Sequence, residues 1–258
     1  MIDRVPNVLA FDVGNGSVRF AHVCGDKANP MQRHALGETG NLATGLAATW
    51  KAMPPPKKIA ACSVNPTGLR VVEDAVAASI GEPVLVVGRD LPLPMATDLP
   101  SPEQIGVDRL CAAVAAFDQL GVACVVADFG TAITIDCVND EGVFLGGAIL
   151  PGLAMGADGL SAGTAALPRV QPDRPDWVYG KDTRQAIVGG LVFGARGALR
   201  QLVETYATEL GHWPVVITTG GDAGLVCGDP NHSGLVQAIV PDLVLRGVAM
   251  AYYKTLVR

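Results

Sequence analysis

The sequence predicts an α/β protein made of two duplicated lobes, each with a mixed β-sheet flanked by helices. Two apolar runs end in the same turn, Asp12-Val13-Gly14 and Asp128-Phe129-Gly130, about half the length of the 258-residue chain apart. A unit repeated at half the chain length indicates duplication. The composition agrees, because 49% of residues are apolar and only 5% are aromatic, which is typical of tightly packed α/β layers.

Each Asp-x-Gly turn is predicted to join two strands of a hairpin. Asn-Gly between two apolar runs is a strong hairpin signal, and Gly14-Asn15-Gly16 provides it in the first copy. In the second copy, Gly130-Thr131 makes the turn. The strands expected around these turns are Val8–Phe11, Ser17–Val23, Cys124–Ala127 and Ala132–Val138.

The remaining patterns alternate strands with helices, which is typical of α/β layers. Further strands are expected at Ile59–Val64, Pro83–Val87, Gly142–Leu150 and Val215–Thr218. Helices are expected at Gly68–Ile80, from the capping sequence at Ser101 or a restart at Gly106 to about Gly121, and at Gly152–Leu167, Asp182–Leu210 and Pro241–Thr255. We place the lobe boundary after Gly121, giving an N-terminal lobe of residues 1–121 and a C-terminal lobe of residues 122–258.

Charge and cysteine usage argue against several classes of function. The net charge is −6 and the longest basic cluster is Lys57-Lys58, so a nucleic-acid-binding surface is not expected. The six cysteines form no Cys-x-x-Cys pair, which argues against structural zinc and favours reduced thiols in the cytoplasm. A signal peptide and a membrane span are not expected either.

A strand-end carboxylate followed by a glycine turn has a use in phosphate chemistry. The carboxylate can hold a hydrated cation, and the turn lets backbone N–H groups approach phosphate oxygens. One such turn alone is typical of an ordinary hairpin. Two of them, with a third turn at Thr219-Gly220-Gly221-Asp222, predict an ATP-binding enzyme that phosphorylates a small molecule. The P-loop and protein-kinase motifs are absent from the sequence.

The sequence Gly106-Val107-Asp108-Arg109 supplies groups for the substrate. Asp108 lies near a predicted helix start, where it stays ionised and can accept a hydroxyl proton. Arg109 can bind a carboxylate or phosphate through two hydrogen bonds. An Asp-Arg pair on a helix is, taken alone, more typical of a surface ion pair.

Motifs along nearly the whole chain resemble those of the type III pantothenate kinases, a family of the actin-like and sugar-kinase ATPase superfamily with ribonuclease H-like lobes. They occur in the family's order. They are Asp12-Val13-Gly14-Asn15, Gly106-Val107-Asp108-Arg109, Asp128 to Thr134, Gly146 to Gly152, Thr164 to Pro168, Gly180 to Thr183 and Thr219-Gly220-Gly221.

The resemblance implies phosphorylation of pantothenate by ATP with Mg²⁺, the first step of coenzyme A biosynthesis, in a homodimer. Asp108 would be the catalytic base. Asp12 would lie near Mg²⁺, and Asp128 would bind K⁺ or NH₄⁺. ATP would be bound by Asp12, Val13, Gly14, Asn15, Gly16, Ser17, Val18, Arg19, Gly130, Thr131, Gly220 and Gly221. Pantothenate would be bound by Leu99, Gly106, Val107, Asp108, Arg109 and, from the neighbouring subunit, Thr183.

Two positions depart from the family pattern. Gly16, followed by Ser17, stands where the family has Thr, and Leu99 stands where the family usually has Tyr. Two alternatives therefore stay open: a kinase-like regulatory or accessory protein with a degraded active site, and a kinase of another small-molecule hydroxyl.

Overall fold

The computed structural model describes residues 5–36, 40–228 and 234–256. The chain forms two compact units. The first contains Met1–Gln119 and Asp242–Arg258, and the second contains Leu120–Pro241.

The first unit contains one mixed sheet in the order β3-β2-β1-β5-β6, with β4 also paired to β2. Strand β1 is antiparallel to β2 and parallel to β5, which is parallel to β6. The strands are β1 Asn7–Val13, β2 Ser17–Cys24, β3 Lys27–Ala28, β4 Gln32–Ala35, β5 Lys57–Ser63 and β6 Val84–Val86. The helices are α1 Gly40–Ala52, α2 Pro66–Ser79, α3 Val107–Leu120 and α7 Leu243–Lys254, with a 3₁₀ turn at Pro102–Gln104.

The central strand β1 is buried along its whole length, as expected for a run of apolar residues covered on both faces. One face forms a core with α1 and α2, in which the rings of Phe11 and Phe20 lie 5.5 Å apart. Helix α2 begins at Pro66, two residues before the predicted start. Pro is favoured at the first helical position, and Asn65 Oδ1 accepts a hydrogen bond from Gly68 N at 2.9 Å.

The other face of β1 is covered by α7, which also contacts β2 and β5. Helix α7 packs very closely against α3, since a Cβ atom at Gly247 would lie 1.8 Å from the carbonyl oxygen of Cys111. Asp12 belongs to this face, because side chains alternate along a strand and Phe11 and Val13 face the opposite core.

The position of α7 differs from the predicted division of the chain. The predicted boundary after residue 121 lies close to Gln119, where the first segment of the first unit ends. The prediction, however, placed all of residues 122–258 in the second lobe. Because α7 packs on β1, Asp242–Arg258 groups with the first unit instead.

The second unit contains one mixed sheet in the order β11-β10-β7-β8-β9. Strands β7, β8 and β9 are consecutive and antiparallel, while β10 is parallel to β7. The strands are β7 Cys124–Phe129, β8 Ala132–Val138, β9 Phe144–Pro151, β10 Val215–Thr219 and β11 Ala238–Ile239, and the helices are α4 Leu153–Gly163, α5 Thr183–Leu210 and α6 Ala223–Cys227.

Both units thus have a central strand with an antiparallel hairpin partner on one side and a parallel strand on the other. The predicted α/β class, with mixed sheets flanked by helices, is confirmed. The predicted hairpin strands all form, and Ala132–Val138 has the predicted bounds. The prediction missed α1, α6 and the short strands β3, β4 and β11.

Helix α5 is long and apolar enough to cross a membrane by length and composition, and it is the one such helix in the described part of the chain. Its buried residues, among them Ile187, Val188 and Val192, belong to the core of the second unit. The core helix of a globular unit has the same composition.

Candidate active site

Four side chains form a row across the first sheet. Strand register places Arg33 of β4 opposite Arg19 of β2, Arg19 opposite Asp12 of β1, and Asp12 beside Cys62 of β5. Residues in register on neighbouring strands share a face of the sheet. We call Arg33, Arg19, Asp12 and Cys62 the Asp12 row.

Asp12 is the buried centre of this row, with 2% of its surface exposed. Its Oδ2 lies 2.8 Å from Nη2 of Arg19, and its Oδ1 accepts a hydrogen bond from Sγ of Cys62 at 3.8 Å. Burial raises the pKa of Asp12, an effect that Arg19 opposes and Asp108 adds to. The carboxylate is therefore fixed between a cation and a thiol.

The thiol of Cys62 is suited to donate a hydrogen bond to the carboxylate of Asp12. Its contact with Cys111 of α3 and its burial raise the pKa of its thiol well above the ordinary value. The thiol therefore keeps its proton and can donate it to Asp12.

Asp108 stands in the first turn of α3. Its Oδ1 accepts a hydrogen bond from the backbone N of Arg109 at 2.9 Å. Gly106 leaves the room for this carboxylate, since a Cβ atom there would lie 2.6 Å from Oδ1. Burial raises the pKa of Asp108, although the N–H and the charge of Arg109 lower it. The electrostatic effect of Asp108 on both Asp12 and Cys62 places it beside the Asp12 row.

The first hairpin ends in a turn of residues 14–17, because Val13 pairs with Val18. Gly14 N donates to the carbonyl oxygen of Ser17 at 3.1 Å and closes the turn. Asn15 and Gly16 are exposed. Within the described residues their backbone N–H groups have no hydrogen-bond acceptor, so they are available to an anion from outside.

The hairpin of the second unit carries an oxygen-rich cluster. Register places Asp128 beside Thr134 of β8 and Thr219 of β10. Thr219 Oγ1 is buried without a hydrogen-bond partner in the described part of the chain. Gly220 has φ +94°, and a Cβ atom there would lie 2.4 Å from Asp128 Oδ1, so the glycine turn packs directly on this carboxylate.

The structure brings the predicted residues into local groups within each unit. In the first unit the stretches 12–19 and 106–109 interact electrostatically through Asp12 and Asp108, while Leu99 is half-buried in the irregular segment before α3. In the second unit Thr131 is exposed in its hairpin turn. Thr183 is exposed as the first residue of α5, whose N-cap is Asp182. The other predicted residues of the second unit, Gly130, Gly220 and Gly221, lie in the turns that follow β7 and β10.

Several residues of these groups were not predicted. Cys62 lies near the end of the predicted strand Ile59–Val64 and pairs with Asp12, so the parallel pairing of the two strands could have indicated it. Arg33 had no comparable signal, because β4 was not predicted. Thr219 was noticed only as part of its glycine turn.

No group of three or more His, Cys, Asp or Glu side chains suited to a metal is found among the described residues. Mg²⁺ bound with a nucleotide commonly keeps several waters and is held by one or two carboxylates and phosphate oxygens. The buried carboxylate of Asp12 next to an open glycine turn offers that kind of site.

The sequence profile of the type III pantothenate kinases matches residues 8–205. A type III pantothenate kinase of Dehalococcoides mccartyi is 32% identical over 252 residues, covering 95% of this chain and 96% of that protein. The chain belongs to the type III pantothenate kinase family. A type III pantothenate kinase of Akkermansia muciniphila is 39% identical over 190 residues, covering 74% of this chain and 76% of its relative.

The fold of the kinase also occurs in a Baf family protein from Campylobacter jejuni, with a TM-score of 0.62 and 20% identity over 96% of this chain and 98% of the other. The predicted actin-like and sugar-kinase fold class is confirmed. Family membership makes the chain an enzyme, a kinase that uses ATP with a divalent metal.

Arg19→Gln is expected to destabilise the first unit by about 3 kcal/mol near neutral pH, because it leaves a buried carboxylate without its cation. Without Arg19, the pKa of Asp12 rises further above 3.8 in the folded state. A raised folded-state pKa means that stability is retained at low pH and lost as pH rises. The deficit against the parent, measured by urea unfolding, should therefore shrink from pH 7.5 to pH 5.

The matched control is Arg19→Gln combined with Asp12→Asn, which should recover most of the stability lost at pH 7.5. An equal deficit at both pH values, or no recovery in the double variant, would contradict the assigned ion pair.

Proposed function

We propose that the Asp12 row and Asp108 form the phosphoryl-transfer site of a kinase that converts pantothenate and ATP to 4′-phosphopantothenate and ADP. The proximity of Asp108 to Asp12 and Arg19 carries this proposal, because it joins two family motifs in one group of interacting charges. Kinases depend mainly on positioning and charge neutralisation, which such a group provides.

Asp108 is the residue we assign to the substrate hydroxyl. It is half-buried, and its raised pKa brings it nearer to neutral pH than that of an ordinary aspartate. A carboxylate with a raised pKa is a stronger base toward the hydroxyl proton. Its hydrogen bond from Arg109 N fixes the carboxylate, leaving Oδ2 to orient the primary hydroxyl of pantothenate.

The first hairpin is assigned to the phosphates of ATP. The open N–H groups of Asn15 and Gly16 can donate to phosphate oxygens, and Arg19 adds positive charge beside them. Asp12 is the residue that would hold the divalent ion, directly or through water. When bound, that ion neutralises charge that develops on the phosphate oxygens.

The cluster around Asp128 fits a monovalent cation, K⁺ or NH₄⁺. It combines one carboxylate with hydroxyl oxygens, and the buried Thr219 Oγ1 lacks a hydrogen-bond partner among the described residues. A large monovalent cation has no strong geometric demand and is well matched by such neutral oxygens. Gly130, Thr131, Gly220 and Gly221 form the surrounding turns and are assigned to the nucleotide.

We further propose a homodimer in which Thr183 serves the pantothenate site of the neighbouring subunit. The second unit exposes large apolar side chains near the start of α5, with 79% of Val178, 78% of Tyr179 and 41% of Phe193 accessible. Exposed apolar groups of this kind are typical of protein interfaces. Light scattering on the purified protein should give the mass of two chains, and a monomer at micromolar concentration would count against this assembly.

The free thiols of all six cysteines support a reducing compartment, and we propose the cytoplasm.

The regulatory alternative is less well supported, because the Gly16 departure leaves the charges of the Asp12 row in place. The Leu99 position contributes a half-buried apolar side chain, so contact with pantothenate would be aliphatic where the family has an aromatic ring.

Asp108→Asn is expected to lower kcat by about 10²–10⁴-fold, the usual contribution of a general base. Thermal stability should not fall, since the substitution removes a carboxylate whose ionised form is disfavoured by burial. In the parent enzyme, kcat/KM should decline toward acid with an apparent pKa above 3.8. Asp118→Asn, an exposed position on the same helix, is the matched control and should keep full activity. Unchanged turnover in Asp108→Asn would remove this residue from its role.

Thr219→Val is expected to weaken activation by K⁺, because it replaces a buried hydroxyl beside Asp128 with a methyl group of similar size. The measurement is the K⁺ concentration for half-maximal activity, which should rise about tenfold for the loss of one good oxygen ligand. Thr205→Val on the exposed face of α5 serves as control. Identical K⁺ titrations for all three proteins would exclude this cation site.

A further inference from the structure

Arg33 has a position that the family motifs do not explain. It lies on β4, is exposed, and donates from Nε to Ser17 Oγ at 3.2 Å. No carboxylate of the described residues lies within ion-pair distance of its guanidinium. Arg19, its neighbour in the row, is instead paired with Asp12. The row therefore has one arginine whose charge is compensated and one whose charge is not.

The contact with Ser17 orients Arg33 along the sheet. Arg33 pairs with Arg19, and Ser17 lies two residues closer to the turn of the first hairpin. A hydrogen bond from Arg33 to Ser17 therefore draws the guanidinium toward that turn. The exposed N–H groups of Asn15 and Gly16 are located there. The positive charge of Arg33 thus lies at the same end of the hairpin as these donors.

We propose that Arg33 is a phosphate-binding residue that holds the polyphosphate chain of ATP together with Ser17. The Nη groups of Arg33 would donate to non-bridging phosphate oxygens. Ser17 Oγ already accepts from Arg33, so its own proton is left to donate to the same phosphate. This inference rests on the proposed function, and it adds a residue that none of the family motifs contains.

The charge balance favours a polyphosphate over a simple carboxylate. Two arginines lie side by side in the row, and Asp12 neutralises only one of them. Like charges on neighbouring strands are destabilising unless an anion lies nearby. The phosphate chain of ATP carries several negative charges, whereas pantothenate carries one. In the proposed function, the first hairpin binds this phosphate chain at its turn.

The arrangement also gives a reason for the altered turn. The hydroxyl expected at position 16 is absent, and the hydroxyl of Ser17 follows one position later. In this position it contacts Arg33 on β4. The side chain of Arg33 then supplies donors next to a turn in which Gly16 has no side chain.

The test is direct binding of Mg²⁺-free and Mg²⁺-containing ATP, ADP and AMP by isothermal titration calorimetry, which does not depend on turnover. Arg33→Gln is expected to raise the Kd for ATP at least about tenfold, the usual effect of losing a charge-assisted hydrogen bond. Arg33→Lys keeps the charge but not the planar fork and should be intermediate. Binding of AMP should change much less. Arg70→Gln, an exposed arginine on α2 of the same unit, is the matched control and should bind ATP as the parent does.

Ser17→Ala separates a positioning effect from a structural one. If Ser17 acts through Arg33, adding Ser17→Ala to Arg33→Gln should change the Kd for ATP by less than Ser17→Ala does alone. In steady-state kinetics, Arg33→Gln should raise the KM for ATP and leave the KM for pantothenate unchanged.

An unchanged Kd for ATP in Arg33→Gln, with the parent binding normally, overturns the inference while leaving the kinase proposal intact. A change in the KM for pantothenate alone also overturns it and assigns Arg33 to the substrate carboxylate. Arg33-dependent ATP binding by a parent protein that forms no 4′-phosphopantothenate supports the inference and contradicts the proposed function.

Discussion

The carboxylate of Asp12 stands at the end of the central strand of the first sheet, where burial opposes its charge and Arg19 compensates it. Neighbouring side chains offset the unfavourable free energy of burying this charge. Cys62 gives the second oxygen a hydrogen bond, and α3 brings Asp108 close enough to raise the pKa of Asp12 further. A buried charge held in this way is poorly explained by stability alone, since an apolar residue would serve a core better. The proposed phosphoryl-transfer site would give this charge a function, because the cation and phosphates of a bound nucleotide would complete it.

The two hairpins differ in the residues that face their aspartates. In the first, Asp12 faces Arg19 across the strands, so the carboxylate is largely neutralised within the protein. In the second, the position opposite Asp128 is Thr134, and Thr219 lies on its other side. Under the proposed function, these neutral hydroxyls would join the carboxylate of Asp128 around a monovalent cation. In the proposed site, this difference in the facing residue distinguishes the hairpin assigned to phosphates from the hairpin assigned to a cation.

Much of the fold was predictable because its central strands are continuous apolar runs that end in glycine turns. Asp12 and Asp128 were identified for the same reason. Strand β4 could not be predicted, since Gln32–Ala35 is polar and is defined by pairing with β2 rather than by its own pattern. Arg33 was missed with it. The grouping of α7 with the first unit depends on its packing against β1, a contact between segments far apart in the chain that no local pattern connects.

Family membership and the charges of the Asp12 row predict a working pantothenate kinase despite the altered first turn. The most direct measurement is product analysis by mass spectrometry after incubating the purified protein with ATP, Mg²⁺, K⁺ and pantothenate. The account predicts ADP and 4′-phosphopantothenate in equal amounts, formed over many turnovers. ATP binding by a folded protein with no phosphorylated pantothenate would contradict it and favour the regulatory alternative.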